Sequence, residues 1–196
     1  MKTVGSANTS KKIMTIEDPP IARFFFGDVR LSWVWLIIRL YTGYEWLMAG
    51  WAKVTSPAWV GAQSGTGLTG FVNNALKQTT GAHPNVQVWY AWFLQNIILP
   101  SAPVWSWIVA FGELLVGVAL ILGIFTGLAA FFGGFMNVNY LLAGSLSTNP
   151  FLFVFATWLV LAWKTAGWIG LDRWILPALG ASWRPGKAFR AREIES

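Results

Sequence analysis

Cysteine is absent from the 196 residues, and histidine occurs once, at His83. Without thiols, disulfides, thiol redox chemistry and iron–sulfur ligation are excluded within this subunit. A single histidine rules out an internal bis-histidine haem, and no second metal-binding side chain accompanies it, so no metal site is expected. Charge is scarce as well. Asp, Glu, Lys and Arg make up 11% of the chain against 55% hydrophobic residues, and the mean hydropathy is +0.52. That composition is too apolar for an ordinary soluble domain and fits a small integral membrane protein.

Aromatic residues are plentiful, at 16% with 14 Trp, as expected where rings anchor at membrane interfaces. The net charge of +6 does not point to nucleic acid, because its basic residues gather near the two ends. Lys2, Lys11, Lys12, Arg23 and Arg30 precede the first apolar stretch; Arg173, Arg184, Lys187, Arg190 and Arg192 follow the last. The long loop at 52–104 contains only Lys53 and Lys77. This asymmetry predicts cytoplasmic termini, an outer loop and contact with anionic lipid.

The expected fold is an all-α integral membrane protein: a four-helix transmembrane bundle with an extracytoplasmic loop containing a short interfacial helix. Residues 1–30 read as a cytoplasmic arm without the apolar run of a signal peptide. Pro19–Pro20 block a helix through its middle, and the following Phe-rich run suits the interface. The membrane domain covers 31–168, with spans at about 31–51, 105–122, 126–143 and 151–168. The outer loop, 52–104, includes the apolar but short stretch 89–99, which ends before Pro100 and Pro103 and reads as interfacial or re-entrant. Short links at 123–127 and 144–150 predict antiparallel neighbours. Residues 169–196 form a basic cytoplasmic tail.

Three ionisable residues interrupt this apolar frame: Arg39, Glu45 and Glu113. A charge at the bilayer centre costs about 2.5–3.5 kcal/mol on insertion scales, so each needs a partner or a pathway. Helical rise places Glu45 about 9 Å, Glu113 about 12 Å and Arg39 about 18 Å below the outer surface. Asn137 falls at about 9 Å. With Tyr41 and Tyr44 these residues form one expected polar layer. Tyr41, Tyr44, Glu45 and Met48 share a helical face, whereas Arg39 points about 120° from Glu45 and is expected to bridge to Glu113. Glu45 would then be the more labile carboxylate, beneath Lys53; the assignment is reversible. Two readings stay open: a structural lock of the bundle, or a ligand and proton site. Trp46 either packs or flanks a flat quinone head, and Asn137 either bonds between helices or contacts a ligand.

The order of these residues resembles a known family. The first span reads Arg39-x-x-x-Gly43 and then Gly50-x-x-Lys53; the second reads Gly112-Glu113, Gly117 and then LILGIFTGLAA. This is similar to the DoxX/DoxD family of four-span prokaryotic membrane proteins. Its long outer segment looks closer to the DoxD type, the large membrane subunit of thiosulfate:quinone oxidoreductase. Many relatives carry an arginine after the LG-x-x-T turn, where this chain has Gly127.

That resemblance implies electron transfer from thiosulfate to quinone in the cytoplasmic membrane. A quinone taking up two electrons also needs two protons, and a carboxylate in low dielectric can supply them. Glu113 or Glu45 would donate, Arg39 or Lys53 would stabilise the anion formed, and Tyr41 or Tyr44 would bond a carbonyl. The chain carries no haem or flavin motif, so a partner subunit is expected to bring the electrons. The rival reading is a non-catalytic accessory subunit of a larger membrane redox or energy-transducing complex. A transporter is disfavoured, since no repeat-related broken helices occur.

Overall fold

A computed structural model of the chain describes residues 18–180. Lys2, Lys11 and Lys12 of the expected arm, and Arg184, Lys187, Arg190 and Arg192 of the expected tail, lie outside the described residues. Among the described residues the fold is all-helical, with no strand.

The longest helices are α2 (Ser32–Val54), α5 (Ala102–Leu122) and α6 (Thr126–Leu142), preceded by a short α1 (Pro20–Gly27). Helix α1 starts at its own proline, whose missing N–H costs nothing in a first turn. Between α2 and α5 lie α3 (Thr66–Leu76) and α4 (Val88–Phe93). After α6 come α7 (Asn149–Leu161), α8 (Trp163–Ala166) and α9 (Asp172–Ala178).

The loop between the first two long helices holds more structure than a single interfacial helix. Leu68, Val72 and Ala75 of α3 pack with Tyr90, Ala91, Leu94 and Ile98 into a cap core. Pro100 and Pro103 do not end the chain's helical course. A π turn at Leu94–Ile98 and a 3-10 turn at Leu99–Ser101 carry α4 into α5, with the prolines in first-turn positions that need no N–H. The result is one 35-residue helical stretch, Val88–Leu122, long and apolar enough to cross a membrane. No other helix among the described residues meets that test.

Helices α2 and α5 run antiparallel in backbone contact, and glycines are the cause. A Cβ on Gly50 would overlap the backbone of Leu114, and one on Gly117 would overlap that of Leu47. Gly43 is held nearly as tightly against Leu120 and Ile121. Small residues allow this approach where apolar solvent gives helices no drive to associate. A second core of Trp35, Trp46, Val116, Leu120, Ala130 and Leu159 fills the space among α2, α5, α6 and α7.

Helix α7 stops at Leu161, short of the expected fourth span. Residues 169–172, read from sequence as the start of a tail, instead dock on the α5–α6 turn: Leu171 and Asp172 N–H groups donate to Leu122 and Gly123 carbonyls at 3.1 and 2.7 Å. Large apolar side chains on α5 and α6, including Leu115, Phe131 and Phe135, are exposed, an apolar surface of the kind that contacts lipid.

Candidate functional site

The glycine contact sets the site. Gly50 lies against the Glu113–Leu114 peptide, so Lys53, one turn further along α2, arrives over the Glu113 side chain. Lys53 Nζ meets Glu113 Oε2 at 2.6 Å. The Glu113 side chain is 1% exposed and that of Lys53 20%, so the pair runs from the interior toward solvent at the cap end. The second carboxylate oxygen accepts a hydrogen bond from the Tyr140 hydroxyl.

Aromatic rings surround the cation. Lys53 Nζ lies 5.1 Å from the ring centre of Trp59 and 5.8 Å from that of Tyr140, distances at which a cation is attracted to a π face. Trp59 is held by its own carbonyl, which accepts a 2.8 Å bond from the buried Ser106 hydroxyl on α5. Tyr140 stacks on Trp46 with centroids 6.4 Å apart and meets the Phe71 edge at 5.6 Å. Its rotamer is thereby fixed on both sides.

Tyr140 also lines a cavity of about 490 Å³ between the cap helices and the α5–α6 pair. Its walls are mostly apolar, with Phe71, Leu115, Phe135 and Met136 among them. Leu115 and Phe135, 65% and 60% exposed, lie toward the outer surface. The polar groups are few: Tyr140, Asn139 and Tyr90, whose hydroxyl bonds the Asn139 carbonyl and Oδ1 at 3.0 and 3.1 Å. An apolar chamber with a few placed polar groups is a usual form for a small-molecule site. Glu113 and Lys53 stand behind Tyr140.

Arg39 takes no part in this cluster. It lies beside Gly123, ten residues from Glu113 along α5, or about 15 Å of helical rise. Its Nη1 and Nη2 donate to the carbonyls of Ala166 and Ile169 at 3.0 and 2.7 Å. The expected Arg39–Glu113 bridge is therefore replaced by Lys53–Glu113. Nearby Asp172 accepts from the Phe125 and Thr126 N–H groups at 2.6 and 2.8 Å. Its carboxylate thus fills the open donors at the start of α6. Gly123, with φ +67°, and Gly170 leave room for the guanidinium; a Cβ on either would strike it. Gly127 faces Trp163: a Cβ there would fall 2.6 Å from the Trp163 Cβ.

The remaining expected residues scatter. Tyr41 and Tyr44 are exposed on the outer face of α2, with Tyr41 edge-on to Phe155. Glu45, partly exposed, makes no hydrogen bond or ion pair among the described residues. Asn137 is buried and donates to Asn149 Oδ1 at 2.9 Å, joining α6 to α7. Trp46 is buried beneath Tyr140. Sequence reasoning missed Tyr140, Trp59 and Asp172. A signal for Tyr140 existed, because it lies three residues beyond Asn137, on the same face of α6. No group of three His, Cys, Asp or Glu side chains converges among the described residues.

An all-helical core with lipid-type outer faces, a spanning-length apolar helix and a buried ion pair defines a membrane-type protein. The DoxX family model matches residues 34–145, more than half of the chain, and the chain belongs to this family. The match includes Arg39, Gly50, Lys53, Glu113 and Tyr140. No curated protein and no solved structure matches the chain.

Proposed function

We propose that the protein is a four-span subunit of a prokaryotic cytoplasmic membrane that serves quinone reduction, of the DoxD type, with electrons from a thiosulfate-oxidising partner. Both termini face the cytoplasm and the α3–α4 cap faces outward, as the basic ends favour. The observation that carries this reading is Tyr140, which both lines the cavity and bonds the buried Glu113–Lys53 pair.

A quinone head is flat, apolar on its faces and polar at two carbonyls. A chamber of about 490 Å³ with Tyr140, Asn139 and Tyr90 among apolar walls fits that chemistry. When bound, the quinone supplies the electron-accepting ring. Tyr140 gives its one hydroxyl proton to the bond with Glu113, so to protonate a quinone carbonyl oxygen it would have to turn that hydroxyl into the cavity, and the tyrosinate left would be reprotonated from Lys53 through Glu113. Lys53, partly exposed, would draw that proton from outer water. Tyr41 and Tyr44, on the outer face of α2, are not part of this pathway. Nor is Lys53 a free anion site, because Glu113 already neutralises it.

The test is purification from native membranes with bound partners, followed by thiosulfate-driven reduction of a soluble quinone analogue. Turnover that falls in Glu113→Gln while the analogue still binds supports the reading. Stoichiometric copurification with another complex, without turnover, would instead favour the accessory-subunit reading.

A further inference from the structure

Glu45 sits on α2 between the half-exposed or exposed Tyr41, Tyr44 and Met48, nine residues before the end of the helix at Val54. Helical rise places it about 14 Å inside that end. The described basic side chains are engaged or distant along the helices. Arg39 is turned to Ala166 and Ile169, while Lys53 is turned to Glu113. Glu45 is therefore a carboxylate on the rim of an exposed apolar face without a counter-charge among the described residues. An unpaired charge facing hydrocarbon is unfavourable, and such residues face a bundle interior or a partner.

We propose that the Tyr41–Tyr44–Glu45–Met48 face of α2 docks a membrane-embedded helix of a different subunit, one that brings a Lys or Arg to the depth of Glu45. Charge complementarity selects this occupant. Lipid acyl chains offer no cation, and a second copy would face its own Glu45 with like charge. The aromatic and Met side chains around the carboxylate supply the apolar contact that shields the pair from lipid. The inference rests on α2 lying in the bilayer, as in the four-span reading.

A photo-reactive phenylalanine analogue at Tyr44 or Met48, activated in native membranes, tests the docking. The expected product is a cross-link to an apolar segment of another protein that contains a Lys or Arg. The yield should fall at least ten-fold in Glu45→Leu and be retained in Glu45→Asp. Glu45→Leu should melt no lower than the parent as an isolated chain, since it removes only an unpaired charge. Cross-links to lipid alone, to a second copy of this chain, or to a segment without a basic residue overturn the proposal. So does a yield unchanged in Glu45→Leu. The absence of native cysteine permits a separate control: Tyr44→Cys should resist a membrane-impermeant maleimide. Labelling would remove the four-span reading itself, whereas protection combined with lipid-only cross-links removes only the docking.

Discussion

Two polar clusters stand at opposite ends of the α2–α5 contact, and they solve the problem of buried charge differently. At the base, Arg39 is held through Nη1 and Nη2 by the carbonyls of Ala166 and Ile169, its buried Nε having no partner among the described residues, and Asp172 accepts from the N–H groups of Phe125 and Thr126. Each charge closes open ends of backbone and joins the α5–α6 turn to the segment after α8. At the cap end, Glu113 is satisfied entirely by side chains, Lys53 and Tyr140. Backbone partners hold a charge in place; side-chain partners can exchange protons and move. Each cluster adjoins a cavity, of about 490 Å³ beside Tyr140 and about 370 Å³ beside Asp172, so it is the kind of partner that differs. The difference separates a structural lock from a candidate reaction site, although both arise from charged residues in apolar helices.

The strongest test of the base is Arg39→Met. It removes two charge-assisted hydrogen bonds of about 1.5–3 kcal/mol each, so a loss of about 3–6 kcal/mol is expected, read as detergent-phase thermal unfolding. Retention of the parent melting temperature would contradict the lock. At the cap end, Lys53→Met strands the Glu113 charge and should cost about 3–5 kcal/mol. Adding Glu113→Gln to that variant should restore most of the loss. A double-mutant cycle sharpens the contrast, because the coupling between Lys53 and Glu113 should exceed that between Arg39 and Asp172. Equal couplings would dissolve the distinction between side-chain and backbone partners.

Tyr140→Phe should cost about 1.5–3 kcal/mol by deleting one bond to a charged group. In the quinone assay it should slow turnover by about 10²-fold, the lower range for a lost proton donor, with little change in analogue binding. Unchanged turnover would return Tyr140 to a packing role. At the base, Gly127→Arg drives its Cβ into Trp163, for a loss of about 1–3 kcal/mol. The smallest effect belongs to Asp28, whose hydrogen bonds to Arg30, at 2.6 Å for the closest, hold its carboxyl below the ordinary range. Its stabilising contribution is therefore present above the ordinary aspartate range and fades as pH falls through the lowered value. Carbon NMR of the Asp28 carboxyl across acid pH would show a midpoint below that of a free aspartate.

The polar trio was legible before the fold because charge is rare in so apolar a chain. Its pairing was not. Counting depth by residue placed Arg39, Glu45 and Glu113 in one layer, but depth along a helix says nothing about azimuth or about which neighbour lies opposite. Arg39 turned toward a segment more than 120 residues away in sequence. Pro100 and Pro103 were read as a break, yet Pro100 sits in the 3-10 turn and Pro103 in the first turn of α5, within one continuous helical course. The cap helix α3 escaped notice because its Gly-rich sequence lacks a long apolar run.

Composition by itself determined the membrane-type, all-helical character of this chain. Its motif residues also marked the DoxX family, because hydropathy and small-residue spacing are properties of the linear chain. Only the tertiary structure decided that Lys53, not Arg39, partners Glu113, that Tyr140 joins them to a cavity, and that Glu45 stands apart. Those outcomes depend on how closely Gly43, Gly50 and Gly117 let two backbones approach and on the rotation of each helix about its axis.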